Sequence, residues 1–181
     1  QLQLEKIIQQ RGIPGISLSV IQDGEQQNFV AGYADLETKT PMDLKHRMFS
    51  GSVGKTFFAA LTLKLQEEKV INIEEKVSTY LGAEAWYQKI ANHSEITIRQ
   101  LLNHTSGLPE YVYSQDLWNA GKADSTKVWT VAERMQFIAD APAVMNAGEG
   151  WSYADANYII LGAVIEKVTG KDIYSLVQQH F

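Results

Sequence analysis

No cysteine occurs in this chain. Disulfides, thiol nucleophiles and cysteine-ligated zinc are therefore all excluded. Positive charge is also thin, with 16 Lys and Arg against 21 Asp and Glu, a net charge of -5. Without a basic cluster to offset that balance, a nucleic-acid surface is not expected. No apolar run approaches the roughly 20 residues that a membrane-spanning helix needs, so no integral membrane segment is expected. The opening QLQLEKIIQQ is polar and amphipathic, unlike an uncleaved secretion signal. His46, His93 and His180 lack the close spacing of metal ligands, and neither a metal nor a cofactor is expected.

What is present has the profile of a globular protein, 45% hydrophobic and 20% charged over 181 residues, enough for one ordinary domain. Leu4, Ile7 and Ile8 give residues 2–11 one apolar helical face. GISLSVIQDGEQQNFVAGYA places two β-prone runs around Asp23-Gly24, a hairpin signal. From Ser52 to Glu68 the pattern is helical, with Phe57, Leu61 and Leu65 at i+4 spacing. Thr97 opens a helix expected to stop near Gly107, and Thr130 with Glu133 forms a capping box for another. APAVMNAGEGW reads as a loop. A helix ending at Gly170 follows, and then a last one in KDIYSLVQQHF. The order is helix, hairpin, then nearly all helix. A lone hairpin is marginal in water, so the sheet is expected to be incomplete and the chain to be part of a longer protein.

One short stretch, FSGSVGKTFF at 49–58, carries two competing chemistries. Gly54-Lys55-Thr56 looks like the end of a phosphate-binding loop, which would make this a nucleotide-binding protein. That motif needs its first glycine at position 49, where Phe49 stands, and a buried strand before it, where PMDLKHRM has no strand signal. The second chemistry is Ser52-x-x-Lys55. A hydroxyl and an amine one helical turn apart share a face. A lysine whose pKa is lowered by burial can take the serine proton. The tetrapeptide by itself is common by chance and fits an N-cap serine followed by a solvated lysine better than a nucleophile and its base.

Four ordered segments enlarge the motif: GIPGISLSVIQDGE, MFSGSVGKTFFAALTLKLQEEKVINIEEKVSTYL, ITIRQLLNHTSGLPEY and GEGWSYADANYIILGAVIEKVTG. Together they resemble the serine β-lactamase and penicillin-binding protein superfamily, in its branch of class C β-lactamases, D-Ala-D-Ala carboxypeptidases and β-lactamase-like esterases. The resemblance implies an α+β, β-lactamase/transpeptidase-like fold of helices and antiparallel sheet. Residues 1–181 would be the N-terminal portion of one domain, with helix and hairpin in 1–50 and a mostly helical part in 51–181. The remaining strands and the family's third motif would lie beyond it.

The resemblance also implies roles. Ser52 would be acylated with Lys55 as its partner, and Tyr153 would share proton transfer. Asp155 stands where the family's Tyr-x-Asn motif has asparagine. A substrate contact there would be an acceptor-only carboxylate, repelling anions and favouring an amine near the scissile bond. The implied activity is a serine hydrolase working through an acyl-enzyme on β-lactams, D-alanyl peptides or small esters, periplasmic or secreted. A non-catalytic relative that binds a ligand is the alternative. His104 invites a general-base role, but a hydrogen-bonded helix stop is the expectation. Tyr111, Tyr113 and the four tryptophans are expected to serve packing.

Overall fold

The computed structural model describes residues 2–181, which fall into two compact units divided between Ser50 and Gly51. In the first, α1 (Leu2–Arg11) buries Leu4, and β1 (Gly15–Gln22) pairs antiparallel with β2 (Glu25–Asp35). Asp23 and Gly24 both have positive φ, at 52° and 83°. Two such residues form the turn whose twist matches paired strands. The register runs from Gln22 opposite Glu25 to Gly15 opposite Gly32. The expectation that the chain carries only this hairpin is corrected by the structure. A third strand, β3 (Thr40–Pro41), adds to β2 after an irregularity between Tyr33 and Asp35. Two residues, one of them proline, are too few to show a period-2 pattern.

The second unit begins with a 3-10 turn, Gly51–Gly54, that feeds α2 (Lys55–Glu67). Ser52 therefore lies in this tighter turn, before the α-helix expected to include it. Then come α3 (Ser78–Leu81), α4 (Ile98–Leu102), α5 (Gln115–Ala123), α6 (Val131–Met135), α7 (Asp155–Thr169) and α8 (Ile173–His180). Thr97 and Thr130 each accept a hydrogen bond from the third helical amide, and Gln100 and Glu133 return the bond. These reciprocal caps start α4 and α6. The first ends earlier than expected, at Leu102, because His104 adopts φ 60° and turns the chain out of the helix.

α7 is the central helix. Ala156, Ile160, Leu161, Val164 and Ile165 are all fully buried, and α2, α3, α4, α6 and α8 all pack on it. Each fully buried leucine or isoleucine contributes about 1.5–3 kcal/mol. Leu61, Leu65, Ile98, Leu101 and Met135 bring the surrounding helices into the same core. This packing fixes the first turn of α7, where the sequence placed Asp155. Among the described residues, no helix is long and apolar enough to cross a membrane.

Candidate active site

Four side chains separated by about a hundred positions close into a ring. Ser52 Oγ lies 2.8 Å from the Tyr153 hydroxyl, and Lys55 Nζ donates to Ser52 Oγ at 3.1 Å. The Tyr153 hydroxyl donates to Asp155 Oδ1 at 3.1 Å. Lys55 Nζ closes the circuit by pairing with that same carboxylate oxygen. All four residues named from the sequence thus meet in one place within the second unit. The phosphate-loop alternative fails here too, since residues 46–50 form no strand.

Lys55 differs from expectation. Burial does work against its charge, with 19% of its side chain exposed. The hydrogen bonds to Asp155 and Tyr153, together with their attraction, outweigh that cost and hold the ammonium above the ordinary lysine value. Lys55 is therefore a charged donor in this site and not the neutral base that burial alone would make it. It is not a solvated lysine either, because it also lies 5.2 Å from the Tyr153 ring centroid and 5.8 Å from that of Tyr158.

The Tyr153–Asp155 segment is braced from below. The turn after α4 runs alongside the loop leading to Tyr153: Ser152 N–H donates to the His104 carbonyl, Gly148 N–H to that of Thr105, and Val144 N–H to that of Gly107. Gly107 has φ 74°, and a Cβ there would sit 2.1 Å from the Met145 carbonyl oxygen, so the close approach needs glycine. Asn92 ties both strands of this contact by donating to the Ser106 and Met145 carbonyls, each at 2.9 Å.

His104 takes a positioning place. Its ring stacks on Tyr153 with centroids 4.4 Å apart, and its Nδ1 accepts from the Ala154 amide at 3.3 Å. Asn157 Nδ2 stands 3.0 Å from the same nitrogen. Burial, aided by the Lys55 charge, lowers the His104 pKa, which fits a neutral ring with Nδ1 unprotonated. Asn157 is fully buried and accepts from Ser106 Oγ at 2.6 Å, so it faces the core and not the ring of four.

Sequence reasoning passed over Glu110. Its Oε2 accepts from the Asp155 amide at 2.7 Å, and its Oε1 accepts from Val112 N–H at 3.0 Å. A carboxylate on an unpaired amide of the first turn satisfies a donor and complements the helix dipole. Glu110 sits inside the quoted HTSGLPEY, but a glutamate 45 residues from the amide it caps leaves no local signal. Tyr111 is buried as packing, whereas Tyr113 is 85% exposed.

Residues 3–181 match the family model described as Beta-lactamase. Penicillin-binding protein 4* of Bacillus subtilis (strain 168) is 30% identical over 141 residues, covering 77% of this chain and 29% of that protein. A D-stereospecific amidohydrolase from Streptomyces sp. superimposes with a TM-score of 0.85 at 25% identity, over 99% of this chain and 52% of that one. The D-amino acid amidase from Ochrobactrum anthropi SV3 does so with a TM-score of 0.82 at 25% identity, over 98% of this chain and 46% of that one. The chain spans about a third of the length of the curated relatives it matches. With its α+β fold shared with β-lactamase and transpeptidase proteins, this chain belongs to the Beta-lactamase family.

Proposed function

We propose that the protein is a serine hydrolase that works through an acyl-enzyme on Ser52. The observation that carries this reading is the closed ring of Ser52, Tyr153, Asp155 and Lys55. A serine hydroxyl is a poor nucleophile unless a neighbour accepts its proton. Here Tyr153 is the neighbour in contact, while the Lys55 ammonium donates to Oγ and would stabilise the developing alkoxide. Attack on a carbonyl would form the Ser52 ester, Tyr153 would return the proton to the leaving group, and water would then repeat the sequence to release the acid.

Amides and small esters of D-amino acids are the substrates to try first. The names of the two solved relatives support that class, and penicillin-binding relatives support β-lactams and D-alanyl peptides beside it. Carboxypeptidase, esterase and class C β-lactamase activities are versions of one acyl transfer that differ in the leaving group. An exported location, periplasmic or secreted, belongs to the same proposal, as does a need for chain beyond these residues.

The test is intact-mass measurement of the protein at its full natural length after incubation with a fluorophosphonate, a penicillin and an activated D-amino acid ester. A covalent adduct that maps to Ser52 and vanishes in Ser52→Ala is the expected result. Turnover that persists in Ser52→Ala would remove Ser52 from the reaction.

A further inference from the structure

We propose that Asp155 is the terminal base of the site, receiving the Ser52 proton by relay through Tyr153, while Lys55 stays protonated throughout. The proposal rests on the hydrolase reading above and specifies where its proton goes. The hydrogen-bond directions within the ring carry it.

An ionised carboxylate has no proton to give, so every bond to Asp155 Oδ1 must point inward. The Tyr153 hydroxyl therefore donates to Asp155 at 3.1 Å. With its only proton committed there, Tyr153 can meet Ser52 Oγ, 2.8 Å away, only as an acceptor, so Ser52 donates. The Lys55 ammonium donates to both Ser52 Oγ and Asp155 Oδ1. The direction is thus fixed from Ser52 through Tyr153 to Asp155, and the amine, already fully protonated, has no lone pair with which to accept the serine proton.

The step balances without any further reactant. As Ser52 Oγ bonds to the carbonyl carbon, its proton passes to the Tyr153 oxygen and the Tyr153 proton passes to Asp155 Oδ1. The carbonyl π pair moves onto oxygen. On collapse, the same two protons move back and the leaving group takes the one that Ser52 gave. Asparagine at 155 would preserve both inward bonds through its carbonyl oxygen but is not basic enough to accept a proton. The acid in this chain therefore adds chemistry without altering the shape of the site.

Other titratable groups around Asp155 belong in the account. Lys55 faces it from α2. Glu110, which holds its amide, comes from the segment after α4 with His104 and Tyr111, both of which sense its charge. Arg134 of α6 acts on Tyr111, and Tyr158 of α7 lies beside Lys55.

The measurement is the rate of Ser52 phosphonylation by a fluorophosphonate, followed by mass from about pH 4 to pH 8 in the full-length protein. Fluoride leaves without being protonated, so this rate reports only removal of the serine proton. The natural protein should show an acidic limb that depends on the Asp155 carboxylate. Asp155→Asn should lose that limb and react about 100-fold or more slowly, within the range typical of base catalysis. Tyr153→Phe, which keeps Asp155 but cuts the relay, should lose the limb as well. An Asp155→Asn protein that melts normally and keeps the natural rate and limb would overturn the relay while leaving Ser52 as nucleophile. A limb that survives Tyr153→Phe would also overturn it. No phosphonylation of the natural protein would bring down the hydrolase reading itself.

Discussion

The two arms of the site are held in opposite ways. Ser52 and Lys55 come from a short 3-10 turn and the first turn of α2, a helix whose N-terminus has no side-chain cap, and Ser52 is exposed. Tyr153 and Asp155 come from a segment with its backbone tied to His104 and Glu110, above a buried network of Ser106, Asn157 and His104. The Ser52 arm relies on helix geometry. The Tyr153 arm needs tertiary support at nearly every residue. An i,i+3 pair is positioned by one turn of backbone, whereas a phenol that must reach across to another element needs something to fix its approach.

The sharpest way to break this comparison is to remove the buried support. Asn157→Leu would strip the fully buried Ser106 hydroxyl of its acceptor and remove the amide beside half-buried His104 Nδ1, which keeps the Ala154 N–H. Leaving buried polar groups unmatched costs about 1–3 kcal/mol each. We expect a loss of about 3 kcal/mol in thermal or urea unfolding, with α2 unchanged as the source of Ser52 and Lys55. A loss below about 0.5 kcal/mol would show that the network does not hold the Tyr153 arm.

How the arms are held also explains what could be read in advance. Ser52-x-x-Lys55 is compact, so the spacing itself states that the two side chains share a face. The hairpin was equally legible because Asp23-Gly24 has one favourable geometry, and the Thr97 and Thr130 caps lie three residues from their partners. Tyr153 and Asp155 could be named only through resemblance, since nothing near them in sequence says that they meet Ser52. Glu110 and Asn92 were illegible for the same reason, acting on backbone groups dozens of residues away. α5 fully buries none of its residues and packs only Leu117 against the core, too sparse a pattern to read from sequence. The direction of the Lys55 shift depended on a pairing with Asp155 that only the folded chain displays.

Acid should act on the same arm with a smaller effect. The pKa of His104 is lowered in the fold, so the unfolded chain binds a proton there that the native state refuses. Its contribution is present in full above about pH 6.5, the ordinary histidine value, and is lost as pH falls through the lower native value. Other groups add their own dependence, so the comparison is with His104→Gln, whose amide oxygen can still accept from Ala154 N–H. The loss of melting temperature between about pH 8 and pH 5 should be smaller in that variant than in the natural protein. An equal loss in both would show that protonation of His104 does not destabilise the Tyr153 arm.

The smallest expected change in stability comes from Ser52, the proposed nucleophile. Ser52→Ala removes the hydroxyl at which the ring begins, yet that hydroxyl is exposed and its partners keep each other: Tyr153 still donates to Asp155, and Lys55 still pairs with the same carboxylate. Water can replace the lost bonds, and substitutions at such positions usually fall within about 0.5 kcal/mol. Unfolding of Ser52→Ala should therefore match the natural protein to within that margin, or shift slightly upward because an oxygen held between one donor and one acceptor has gone. A loss above about 1.5 kcal/mol, beyond what one exposed hydrogen bond normally contributes, would mean that Ser52 helps fasten the two arms together. The contrast between a self-supporting Ser52 turn and a braced Tyr153–Asp155 segment would then have to be given up.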